Sequence, residues 1–145
     1  MSNNKLLIQS PIFFLLGAFA TFSLEPYKIY PLILCFSFAI FGICRANNPK
    51  EVFYLSFAFA FGWFFLGLYW IGNAFLVKSG FYLFLMPLAA TLLPLFLSFI
   101  WSIAFFITKL ISEKFGEIHI NLLIILSIFE FLRGKLLNFP WLMPG

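Results

Sequence analysis

Aspartate is missing altogether from this 145-residue chain, and histidine occurs once, at His119. With two cysteines, no CxxC pair and no histidine cluster, the sequence offers no metal-ligating set. Charged residues make up 10% of the chain, against about 25% in soluble domains. The nine Lys and Arg residues stand singly between apolar runs. They form no basic patch, so nucleic-acid binding is not expected. Cys35 and Cys44 are nine residues apart. On one helix that spacing puts them on opposite faces, about 13 Å apart along the axis, beyond disulfide reach. They read as small apolar packing residues.

What fills the space is hydrocarbon: 63% hydrophobic residues, 24 of them Phe, and a mean hydropathy of +1.06. So short a chain cannot hide this much apolar surface from water. An all-α integral membrane protein is therefore expected, with about five transmembrane helices over roughly 6–24, 30–44, 52–72, 81–108 and 119–137. Lys5 and Ala18-Phe19-Ala20 would suit a cleavable leader. Gln9-Ser10-Pro11 breaks the apolar run too early for one, which favours a retained helix.

The connections are Leu24–Pro31, Arg45–Glu51, Lys78–Gly80 and Lys109–His119. The third block, Val52–Val77, reads as the strongest span, and Ala58 and Gly62 give it a small-residue face that another helix can approach closely. Pro87 and Pro94 predict a kinked or tilted fourth helix. Lys5, Arg45, Lys50, Lys109 and Lys114 would share one side of the membrane and Lys28 and Lys78 the other. That asymmetry predicts a cytoplasmic N-terminus.

The end of the chain, Glu130-Phe-Leu-Arg-Gly-Lys and then Phe139-Pro-Trp-Leu, sets three charges within six residues of an apolar block. Glu130 and Arg133 are three apart and share a helix face. At membrane depth, paired ionisable groups face protein or a wet cavity. Gly134 is a place for the helix to loosen, and Pro140-Trp141 would stop it at the interface. The bland reading is a helix end with snorkelling charges and an aromatic belt.

Glu130-Phe-Leu-Arg-Gly, a spacer, Phe139-Pro-Trp-Leu and Gly145 resemble the signature in the membrane domain of apolipoprotein N-acyltransferases. Pro26–Pro31 (PYKIYP) is similar to that family's turn after the first helix, and Gly62–Ile71 (GWFFLGLYWI) to its Gly/Phe/Trp helix end. The resemblance covers nearly the whole chain. Asn138 and Met143-Pro144 depart from it.

The resemblance implies a multi-pass protein of the bacterial inner membrane. Its family moves an acyl chain from a phospholipid donor to the N-terminal amine of diacylglyceryl-cysteine on a lipoprotein acceptor. That chemistry belongs to a nitrilase-like domain with a Cys nucleophile, a Glu base and a Lys, and no stretch here matches it. The chain is expected to be the N-terminal part, truncated before further helices and that domain. No catalytic residue, metal or cofactor is assigned, and acyl transfer by this chain alone is not expected. Arg133, Glu130, Trp141, Trp70 and Tyr69 are the candidates for lipid or substrate contact. Membrane lipids and the missing catalytic domain are the other partners implied. The competing readings are a small multi-span transporter subunit, short of polar groups at mid-membrane, and a non-catalytic membrane scaffold.

Overall fold

Asn48 caps the helix that packs against both the first helix and the long helix near the chain's end. Its side-chain oxygen accepts from the backbone N–H of Glu51 at 2.9 Å, and Glu51 Oε2 accepts in turn from the N–H of Asn47 at 3.2 Å. With Pro49 in the first position, this reciprocal cap launches a helix that the apolar residues behind it continue. The computed structural model describes residues 3–76 and 82–137. They form six helices: α1 (Asn3–Thr21), α2 (Ile33–Cys44), α3 (Pro49–Gly67), α4 (Ile71–Leu76), α5 (Tyr82–Phe115) and α6 (Ile118–Leu137). A single 3-10 turn at Tyr30–Leu32 precedes α2, and no strand occurs among the described residues.

α1 and α3 lie side by side in the same direction. Gln9 and Phe13 line one pocket with Glu51 and Leu55, and Thr21 and Leu24 line another with Leu66 and Gly67. Gly17 and Gly62 make this approach possible. A Cβ on Gly62 would run into the carbonyl oxygen of Phe14 and come within 3.0 Å of the Ala18 nitrogen. One on Gly17 would strike the carbonyl of Phe59 and come within 2.8 Å of the Trp63 nitrogen. Thr21 Oγ1 seals the seam by donating to Trp63 O at 3.1 Å. Gly62 thus provides the close approach read from the sequence, and α1 is the helix that makes it.

α5 runs antiparallel to α3, as Phe53 meets Phe106 while Phe59 and Phe64 meet Trp101. α6 runs back along α5. The core joins all of these through Phe36, Phe59, Trp63, Phe64 and Trp101. Cys35 and Cys44 are free, half-buried and packed against it.

Two boundaries differ from the sequence reading. The third apolar block is not one helix. α3 ends at Gly67, and Leu68, Tyr69 and Trp70 turn through three-residue hydrogen bonds into α4. The segment read as a polar connection from Lys109 is helical to Phe115, so α5 is 34 residues long. Gly116 (φ 74) and Glu117 (φ 47), both left-handed, end it, and the N–H of Gly116 closes on Ser112 O at 2.9 Å. By length and composition, one helix among the described residues, Met86–Phe115, suffices to cross a membrane, with shorter apolar helices at Ile8–Thr21 and Tyr30–Cys44. The outer faces are apolar too: Ile8, Ile12, Leu15 and Phe19 on α1 and Leu88, Leu92, Phe96 and Phe99 on α5 are all exposed.

Candidate functional site

α6 is apolar enough that any charge it turns inward must find company. It stays helical through Gly134 to Leu137, so the glycine does not loosen it. Glu130 and Arg133 consequently stay one turn apart and point inward. Arg133 Nη2 donates to Glu130 Oε2 at 2.6 Å. The other carboxylate oxygen accepts from the indole N–H of Trp101 on α5, also at 2.6 Å. The guanidinium carbon lies 5.4 Å from the ring centre of Phe64 on α3, within range of a cation–π contact.

Burial decides what this pair is. Arg133 is 2% exposed and Glu130 8%, whereas a snorkelling charge keeps its head in water. Lys135, two residues on, is exposed and behaves that way. The pair is an internal element of the bundle, held from three helices.

Its bonding is incomplete. Arg133 Nε and Nη1 are buried and have no hydrogen-bond partner. The same residue lines a pocket of about 250 Å³ with Phe96, Ile100, Phe129, Leu132 and Leu136. Buried donors in native structures nearly always have partners, so two on one side chain beside a cavity mark the site.

Tyr69 and Trp70 lie elsewhere. Both are exposed in the α3–α4 turn and line a pocket of about 270 Å³ against Glu25, Pro26 and Tyr27 of the first connection. The Tyr27 hydroxyl bonds to Tyr69, and that bond, followed by the neighbouring phenol's charge, raises the Tyr27 pKa above its ordinary value. Trp141 lies outside the described residues, as do Lys78, Asn138, Pro140 and Met143-Pro144.

Trp101 and Phe64 escaped sequence reasoning. Trp101 is 29 residues from Glu130, and nothing local ties the two together. The available signal was weak: an indole deep inside an apolar block usually finds an acceptor, yet Trp63 is buried the same way and its N–H has none.

Comparison with known proteins gives a consistent picture. The model of the apolipoprotein N-acyltransferase N-terminal domain matches residues 16–145. An apolipoprotein N-acyltransferase of Rhodopseudomonas palustris is 35% identical over 140 residues, covering 92% of this chain and 26% of the relative. One from Sinorhizobium fredii is 31% identical over 142 residues (88% and 26%), and one from Brucella suis 31% over 144 (91% and 27%). The chain spans about a quarter of the length of these curated relatives.

Proposed function

The chain belongs to the apolipoprotein N-acyltransferase family, and from that membership we propose that it is the membrane platform of an enzyme acylating lipoproteins. The enzyme takes an acyl chain from a phospholipid and places it on the amine of a diacylglyceryl-cysteine. This part supplies lipid contact and no catalytic group. Cys35 and Cys44 sit half-buried against the apolar core, where burial leaves a thiol unreactive.

The platform crosses the bacterial inner membrane five times, with the N-terminus in the cytoplasm. Two features support this. The helices carry apolar stripes on the outside as well as the inside, the pattern of a protein solvated by hydrocarbon. Alternation of α1, α2, α3, α5 and α6 also brings positions 5, 45, 50, 109 and 114 to one end of the bundle. A solute pathway is not favoured, because the buried hydroxyls of Ser102 and Thr108 bond to carbonyls of their own helix at 2.7 and 2.8 Å.

The observation that carries the lipid-contact reading is the buried, half-satisfied Arg133 beside an apolar pocket. Glu130 holds it in place. Tyr69, Trp70 and Trp141 set depth at the headgroup level. Single-cysteine variants labelled in intact inner-membrane vesicles test the arrangement. An impermeant maleimide applied from the periplasmic side should tag Lys135→Cys and spare Asn47→Cys, and the reverse pattern refutes it. Purified chain given phospholipid and a diacylglyceryl-cysteine peptide should form no N-acylated product.

A further inference from the structure

We propose that the pocket between the first connection and the α3–α4 turn seats the ammonium headgroup of a bilayer lipid. This inference rests on the reading that Tyr69 and Trp70 stand at the headgroup level, and it gives that end of the bundle a ligand. It concerns a resident lipid and leaves the acyl donor aside.

Three observations carry it. Tyr27, Tyr69 and Trp70 line one pocket of about 270 Å³, and each ring is half open to a visitor, at 52%, 52% and 44% exposure. Aromatic faces attract cations. The one charged side chain lining the pocket among the described residues is Glu25, which is 79% exposed. Its ion pair with Lys28, at 2.8 Å, lies in solvent and is worth little, so an arriving ammonium can share the carboxylate. The hydroxyls, finally, have spent their protons. Thr21 Oγ1 donates to the carbonyls of Gly17 and Trp63, and Tyr27 donates to Tyr69. What both still offer is lone pairs. A phosphate would meet Glu25 with no lining cation to offset it among the described residues. A hard metal ion wants six or so oxygens and no rings. An ammonium uses the rings, the carboxylate and the lone pairs together.

The walls are formed in advance. The N–H of Ile29 returns to Phe22 O at 3.0 Å, and Phe22 meets Tyr27 edge-on with ring centres 4.9 Å apart. Across the pocket, the N–H of Ile71 closes on Leu68 O at 3.0 Å and fixes the turn that carries Tyr69 and Trp70. A headgroup therefore meets little ordering cost. Leu24, Pro26 and Leu66 make the rest of the lining apolar, and the exposed stripe of α1 through Leu15 and Phe19 ends just before Thr21. That stripe gives acyl chains a track below the headgroup, which favours a lipid over a soluble amine.

Native mass spectrometry of the full chain in maltoside micelles tests this with three lipids of identical acyl chains. They are a phosphatidylethanolamine, its N-acetyl derivative and a phosphatidylglycerol, of which the first alone carries an ammonium. Its occupancy should exceed that of either other lipid by about fivefold or more, the worth of a partly desolvated cation–π contact. Glu25→Gln and Tyr27→Leu/Tyr69→Leu should each lose that preference. Tyr30→Leu, exposed in the same connection and outside the pocket, should keep it. Should the double variant fail to fold, Glu25→Gln decides alone, and a preference it retains overturns the inference. A soluble peptide with a free N-terminal amine should not displace the phosphatidylethanolamine at equal concentration; if it does, the site reads a peptide and the lipid assignment falls. If the three lipids bind equally, lipid contact stands and the ammonium assignment falls. If none binds, both fall.

Discussion

Removing Glu130 alone should cost far more than removing the whole pair. In Glu130→Ala the guanidinium, with a side chain 0% exposed, loses its only hydrogen-bonding anion and keeps the ring of Phe64 at 5.4 Å. Breaking a buried ion pair from one side costs about 3–5 kcal/mol. The cation–π contact returns about 2 kcal/mol at most, and the indole of Trp101, stranded by the same change, costs about 1–3 kcal/mol more. These contributions overlap, so the expected loss is about 3–5 kcal/mol, roughly 10 °C in Tm for a chain of this length. Glu130→Leu/Arg133→Met leaves no uncompensated charge and should come within about 1–2 kcal/mol of the parent. Thermal unfolding in maltoside micelles, followed by tryptophan fluorescence, measures all three proteins. Should Glu130→Ala unfold within about 1 kcal/mol of the parent, or the double variant prove the weaker, the pair is not the internal strut argued for.

Gly62→Ala should destabilise by about 1–3 kcal/mol, because the new methyl meets the backbone of Phe14 and Ala18. Gly42→Ala meets only the movable ring of Phe13 and should cost clearly less; equal shifts in Tm would remove the case for a backbone-limited α1–α3 seam. Tyr27 should ionise later than a free tyrosine, since Tyr69 holds its proton. A raised folded-state pKa means the stabilisation is complete below the ordinary value and is lost as pH climbs through the raised one. Tyr69→Phe should return Tyr27 to the ordinary range in a tyrosinate absorbance titration, and an unchanged titration refutes the contact.

The helical class and the pairing of Glu130 with Arg133 were legible because both follow from spacing: long apolar runs, and charges three apart. Helix ends were less so. The break after Gly67 falls within an unbroken apolar run, Gly62–Ile71, where hydropathy carries no punctuation. The continuation of α5 past Thr108 was hidden for the opposite reason. Lys109, Glu113 and Lys114 made a polar stretch look like a loop, although all are sound helix formers. Gly116 was the better stop signal. The depth of Arg133 could not be read at all, because a snorkelling and a buried arginine give the same letters. Its choice depends on Trp101 and Phe64, brought in by the folding of α5 and α3.

That dependence bears on whether the pair serves packing alone. A purely structural ion pair gains from using every donor it buries, since each one left over carries a desolvation cost. Here Trp101 fixes one oxygen of Glu130, and Glu130 fixes one nitrogen of Arg133. Phe36, Phe59 and Phe64 in turn fix the ring of Trp101. The rest of the guanidinium is thereby enclosed inside the bundle, with Nε and Nη1 buried and unpaired. A fold that wanted only a strut could have had Lys135's solution one half-turn away, with the charge in solvent. Keeping Arg133 inside with two of its nitrogens unpaired therefore carries a desolvation cost that the exposed Lys135 escapes.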